Sequence, residues 1–230
     1  MRLSDLYKYV VEAGIKNDPR PKKDVRKTLL KNKKRYSSLK GTRKALFDKE
    51  ALLNPYSDTR VLYGDRDRDV RTIMVGVDIE GAELLVADRL NQMGNPIDLV
   101  ISHHPEGRAY AELYDVMNLQ TDQLKNLGIS PDIAEDMMGE RISEVERRLH
   151  GKNCTRNVDI AKLLNLPYMC IHTAADNMVS TYLQGLIDKK RPRSIGNLAD
   201  LLEGIYEYRE GAKSGIGPKI LIGDRKKSAG

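Results

Sequence analysis

Two short stretches carry residue types that can do chemistry. Ile101–Gly107 reads ISHHPEG, with adjacent histidines at the foot of an apolar run, and residues 172–177 read HTAADN, a histidine four residues before a carboxylate. The chain has four histidines in all, so a neighbouring pair calls for a reason. A lone histidine behind a strand is more often a hydrogen-bonded core or loop residue than a metal ligand. The pair, taken with the second His/Asp cluster, favours metal binding. Pro105 biases His104 toward an extended backbone, and adjacent side chains on such a backbone point to opposite sides. One small ion could not easily take both rings. Two neighbouring ions could take His103 and His104 one each, with a carboxylate such as Asp176 bridging them. A pair of divalent ions acidifies a bound water and clamps a phosphate or carbonyl oxygen. Imidazole and carboxylate donors suit Zn, Mn, Fe, Ni or Co.

Other candidates stay open at this level. Glu106 could be a ligand, a base or a solvated loop residue. Asp78 could cap the helix behind it or belong to the site. His150, at the end of a charged helical stretch, reads as a C-terminal helix cap. Gly215-Ile-Gly217 is too weak a motif to imply phosphate binding.

The elements that must position these residues alternate in type. Residues 72–77 (TIMVGV) read as a buried strand, 80–93 as a helix with Gly94 at its C-terminus, and 97–101 (IDLVI) as a second strand. Strand–helix–strand in this span predicts a parallel βαβ unit with a right-handed crossover. A long helix is expected from Ser130-Pro131 to His150, a shorter one over 157–164, and a third buried strand at 167–171 (PYMCI). Helices are expected near 179–188 and 198–209, and a strand at 219–222. Before the first strand, Leu3, Leu6, Tyr7, Val10 and Val11 fall at amphipathic helix spacing. A basic helical stretch reaches about Phe47, and LLNPYSDTRVLYGD reads as a loop with turn signals at Asn54-Pro55 and Gly64-Asp65. Ligands of parallel sheets gather outside the carboxyl ends of the strands, which is where Asp78, His103/His104 and His172/Asp176 fall.

Composition narrows the class. The chain has 230 residues, 40% hydrophobic and 31% charged, as a folded domain has and a disordered one does not. No apolar run is long enough to span a bilayer, and the first residues lack a signal peptide's apolar region. Two cysteines, Cys154 and Cys170, stand in no metal or redox spacing, and Cys170 reads as a core residue; the expectation is a reducing cytoplasm. Residues 1–50 hold 16 Lys/Arg against 6 Asp/Glu, while the rest holds 23 against 27. Nucleic-acid contact is possible on this basic segment. A solvated helix face is the favoured reading, because residues 22–34 contain no aromatic ring to stack a base.

The strand ends resemble the Nif-three-like family (NGG-one interacting factor three; GTP cyclohydrolase I type 2-like). The resemblance rests on VGVD at 75–78, DLVISHHP at 98–105 and HTAAD at 172–176, and it covers roughly residues 54–182. It implies an α/β protein of three-layer type, with a mostly parallel or mixed sheet built from βαβ units. It also implies a dinuclear metal site, commonly in a ring-shaped hexamer. Carried over by motif, His103 and His104 look like ligands to two divalent metal ions, Asp176 like the bridging carboxylate, and His172 lies beside them. The family's site is completed by a further His and Glu near the C-terminus, and no histidine follows His172 here. The expectation is therefore a C-terminally incomplete chain: a basic helical segment over 1–53, then an α/β metal-site domain over 54–230 with a subdomain break near 108–130. The functional expectation is a metal-dependent hydrolase acting on a small phosphorylated or nucleotide-like substrate, with Glu106 or His172 moving protons. The alternative is a non-catalytic interaction protein with a structural metal site and a basic docking segment.

Overall fold

In the computed structural model, which describes residues 1–229, the apolar runs pair into one mixed sheet. Its strands are β1 (Arg60–Tyr63), β2 (Ile73–Gly76), β3 (Leu99–Ser102) and β4 (Tyr168–Cys170), in the order β1-β4-β3-β2. β2, β3 and β4 are parallel, and β1 closes the edge antiparallel to β4. The continuous apolar character of LVI in β3 and YMC in β4 matches their position, since both are buried along their length.

Side-chain alternation divides the core into two. Val100 and Tyr168 point to one face, where they meet Leu84 and Ala87 of α4 (Gly81–Gln92) and Val158 and Ala161 of α9 (Arg156–Leu163). Leu99, Ile101 and Met169 point to the other, where Leu3 of α1 (Leu3–Lys16) packs against them. The result is a helix–sheet–helix sandwich. Full burial of Leu3, Leu84 and Leu99 is worth about 1.5–3 kcal/mol each. A close approach draws α1 toward the site: a Cβ on Gly14 would lie 2.8 Å from the Ala174 Cβ. Ala174 belongs to the first turn of α10 (Thr173–Lys190), and the Asn177 amide of that helix donates to the Gly14 carbonyl at 3.3 Å.

The basic segment forms α2 (Lys22–Ser38), α3 (Gly41–Ala45) and a 3-10 turn, Lys49–Leu52. Between β3 and β4 the chain runs through α5 (Gly107–Ala111), α6 (Leu113–Val116), α7 (Asn118–Asn126), α8 (Pro131–His150) and α9. Pro131 opens α8, His150 is a basic residue of its last turn, and Gly151 takes the C-cap position. Two compact units result, Met1–Ser180 and a second beginning at Thr181. The second holds α11 (Ile195–Glu203) and α12 (Tyr206–Lys213). No helix among the described residues is long and apolar enough to cross a membrane.

Four expectations are corrected. The loop expected around residue 60 contains β1, because Arg60–Tyr63 finds a tertiary partner in β4 that its turn-rich flanks conceal. The helix expected near 179 begins at Thr173, so HTAAD lies at a helix start. The helix expected over 198–209 is two helices, with α11 ending in a C-cap at Gly204. No strand forms at 219–222, where Leu221 and Ile222 are 88% and 93% exposed. The chain just beyond is held at the start of α11 instead, through Gly196 N–H to the Arg225 carbonyl and Ile195 N–H to the Lys227 carbonyl.

A buried charge ties β1 to its surroundings. The Arg60 side chain is 6% exposed and meets Asp48, Glu50 and Glu112, while its Nε donates to the Ser57 carbonyl. Burial pushes the Asp48 carboxyl up, but the hydrogen bond and charge of Arg60, aided by Arg108, outweigh it and hold the carboxyl below its ordinary value. A depressed carboxyl contributes stability above its unfolded value, here about 3.8, and loses it as pH falls through the lower folded value. Arg60→Met is expected to destabilise the protein by about 2–4 kcal/mol near neutral pH, because it takes the buried cation from three partly buried carboxylates that Arg108 and Arg66 compensate only in part. Thermal unfolding from neutral pH to pH 2 checks this: the difference between variant and wild type should shrink below about pH 4, and a constant gap would contradict it.

Candidate metal centre

The parallel register sets the site. Gly76 of β2 stands beside Ser102 of β3, which stands beside Cys170 of β4. The chain beyond each strand therefore leaves the sheet at one edge. His103 N–H donates to the Gly76 carbonyl and His104 N–H to the Val77 carbonyl, both at 2.8 Å, and Ile171 N–H donates to the Ser102 carbonyl at 2.9 Å. Asp78, the histidine pair and His172 are thereby brought together.

Three imidazoles converge there. Ring centroids are 5.3 Å apart for His103 and His104, 4.9 Å for His103 and His172, and 5.9 Å for His104 and His172. One donor atom from each ring lies within 4.8 Å of the others. The expectation that the adjacent histidines point apart is overturned. β3 ends at Ser102 and both histidines sit in a bend, so the alternation of an extended strand does not apply to them.

Each ring is held by its Nδ1. His103 Nδ1 meets the Ile171 carbonyl at 3.1 Å, His104 Nδ1 meets Asp78 Oδ1 at 2.6 Å, and His172 Nδ1 meets Asp58 Oδ2 at 2.8 Å. A carbonyl or carboxylate partner requires the proton on Nδ1, which leaves Nε2 with a free lone pair in the neutral ring. This is the outer-shell pattern that orients histidine ligands for a metal. Asp176 lies across from two of these nitrogens, with Oδ1 3.5 Å from His103 Nε2 and Oδ2 3.8 Å from His172 Nε2. Its place in the first turn of α10, four residues after His172, puts both on one helix face. Burial pulls the His172 pKa down, but the hydrogen bond and charge of Asp58, with the charge of Asp176, hold it above the ordinary imidazole value. Three imidazoles and a carboxylate suit a borderline divalent ion, so the donor set fits a metal.

Asp78 is not the cap of α4. Glu80 takes that position, in a reciprocal capping box with Glu83, and Asp78 is left to hold His104. Among the described residues Glu106 makes no hydrogen bond or ion pair with the rings; its carboxyl takes a hydrogen bond from the Asn157 side chain and feels the charges of Glu80 and Arg156. Burial, reinforced by Glu80, raises its pKa above the ordinary carboxylate value. Cys170 is fully buried, as its apolar run implies.

Asp58 is the residue that the sequence does not reveal. It is fully buried and also accepts from Thr173 N–H at 3.3 Å and Thr173 Oγ1 at 2.5 Å. The antiparallel register explains its position: Arg60 pairs with Cys170, so two steps back along β1 faces two steps beyond β4, which sets Asp58 opposite His172. The signal was the strand character of RVLY, which begins two residues after it.

No protein-family model and no curated protein matches the chain. Among solved structures it is similar to the crystal structure of a NIF3 superfamily protein from Sphaerobacter thermophilus, with a TM-score of 0.63 and 22% identity over 76% of this chain. The match spans 62% of the length of that protein's chain. The chain therefore has a Nif-three-like fold, with a histidine cluster that could hold a metal ion at the carboxyl edge of its sheet.

Proposed function

We propose that the chain binds two divalent metal ions through His103, His104, His172 and Asp176, and that it hydrolyses a small phosphorylated or nucleotide-like substrate there. One observation carries the metal reading: three imidazoles converge, each tethered through Nδ1, with both oxygens of Asp176 facing the Nε2 atoms of different rings. When bound, divalent ions supply Lewis acidity toward a phosphoryl oxygen and lower the pKa of water. The chain's own part is to hold the donors. Asp58 and Asp78 fix two ring orientations, the Ile171 carbonyl fixes the third, and α10 aims the Asp176 carboxylate.

Glu106 is assigned the proton-carrying role. Its support is a half-buried carboxyl two residues beyond His104, held by Asn157. Glu106→Gln keeps the size and the hydrogen bonding but removes the titratable proton. With p-nitrophenyl phosphate as probe, the variant should keep its metal content and lose roughly 100-fold or more in kcat. Unchanged kcat would remove Glu106 from the reaction. Absent turnover in a metal-loaded wild type, across phosphate mono- and diesters, would leave metal binding without hydrolysis and favour the interaction-protein reading.

A further inference from the structure

Away from the imidazoles, α2, α3 and the 3-10 turn face α6 and α7 across a cavity of about 1220 Å³. None of the three clustered histidines lines it. Its cations divide into two sets. Arg20 is paired with Asp18 and Asp122, Arg60 and Arg108 with Asp48 and Glu112, and Lys125 with Glu135. Those four are balanced within the fold. Lys27, Lys31, Arg35 and Arg43 also line the cavity, and among the described residues none has a carboxylate within 4.0 Å. Asp24 and Asp115 are the lining carboxylates without an ion pair, so the lining stays net positive, at eight basic residues against six acidic.

The arrangement follows from the sequence. Lys27, Lys31 and Arg35 are spaced four apart and fall on one face of α2. Like charges at that spacing cost the helix a few tenths of a kcal/mol per pair; among the described residues no ion pair within 4.0 Å offsets it, and Arg35 feels only the more distant charge of Asp115. Three aromatic residues, Phe47, Tyr56 and Tyr114, line the same cavity, and Tyr56 is almost fully buried in its wall. Phe47 is braced against Tyr36 with ring centroids 5.2 Å apart, and the Arg35 guanidinium lies 6.0 Å from its centroid. Unpaired Lys and Arg groups match phosphate oxygens, and a braced aromatic face matches a nucleobase. The volume is somewhat above the roughly 300–1000 Å³ common for small-molecule sites, as an elongated, highly charged ligand would need.

We propose that this cavity is a second binding site, for a nucleoside polyphosphate, with the phosphates on Lys27, Lys31, Arg35 and Arg43 and the base against Phe47. The site is independent of the metal reading. A single-stranded nucleic acid would use the same groups, but it needs cations along an open path. Here the unpaired cations and the aromatic rings share the walls of one cavity.

The test is calorimetric titration of the full chain with ATP in EDTA, so that no metal contributes. Saturable binding at one site is expected. Lys27→Gln/Lys31→Gln/Arg35→Gln should weaken it about tenfold or more, each lost charge-assisted bond adding to the effect. Lys22→Gln/Lys23→Gln/Lys33→Gln removes the same charge from residues that do not line the cavity and should change affinity less than about threefold. His103→Ala/His104→Ala should leave ATP binding intact, which separates this site from the metal centre. All six substituted Lys/Arg positions are exposed, and circular dichroism verifies that the fold is kept. The single variant Lys31→Gln gives a second reading if the triple unfolds. No ATP binding at about 1 mM would overturn the proposal. So would equal weakening by both triple variants, or binding of a single-stranded RNA that ATP does not displace.

Discussion

His172→Ala is expected to weaken divalent metal binding by roughly 100-fold or more, and to destabilise the fold as well. The first effect follows from losing one of four donors: structural zinc sites supply about 10–16 kcal/mol in total, so each ligand carries a substantial share. The second follows from burial. Asp58 is fully buried and accepts from His172 Nδ1, and removing the imidazole leaves that carboxylate short of a partner, at a cost of about 1–3 kcal/mol. His103→Ala separates the two effects. Its Nδ1 meets the Ile171 carbonyl at 3.1 Å, so metal affinity should fall as far while stability falls less. Metal titration and urea unfolding of both variants check this. Equal stability losses would contradict the role given to Asp58, and undiminished metal affinity in either variant would contradict the ligand set.

Asp58→Ala should be the most damaging single change near the site. It strands four donors at once, namely His172 Nδ1, Thr173 N–H, Thr173 Oγ1 and Thr59 Oγ1. A loss of about 3 kcal/mol or more is expected, since each buried donor left without its acceptor costs about 1–3 kcal/mol. In whatever fraction folds, metal affinity should fall by about 10–100-fold, the usual effect of losing an outer-shell carboxylate. Asp58→Asn keeps the volume but brings an amide that cannot accept from every donor around it. It should fold better than the alanine variant and still bind metal more weakly than wild type. Unfolding midpoints and metal titration together give the result. Wild-type metal affinity in Asp58→Asn would mean that His172 is oriented by something else.

Much of this arrangement was legible in the chain because it is local. The β2–α4–β3 unit shows as a change of hydrophobic period, and the histidine pair shows because it ends a buried apolar run. The parallel register then brings Gly76, Ser102 and Cys170 side by side, so strand ends read separately become one edge. What was hidden depends on pairing across long separations. Asp58 lies 114 residues before His172, in a stretch whose Pro, Ser and Asp residues announce turns, and only its pairing with β4 makes β1 a strand. The turn of the two rings toward each other was hidden for a different reason. Proline restricts the residue before it, but where a strand ends is set by its neighbours, and β3 stops at Ser102. Residues 219–222 show the converse: apolar side chains without a partner strand do not make a strand.

The most direct measurement is the metal content of the folded wild-type chain, by elemental analysis after equilibration with Zn²⁺ or Mn²⁺ and removal of free ion. About two ions per chain are expected, as a bridged pair of divalent ions requires, with none retained by His103→Ala/His104→Ala/His172→Ala. A folded wild-type chain that holds no metal, or a triple variant that holds as much as the wild type, would contradict the assignment of these imidazoles as a metal centre.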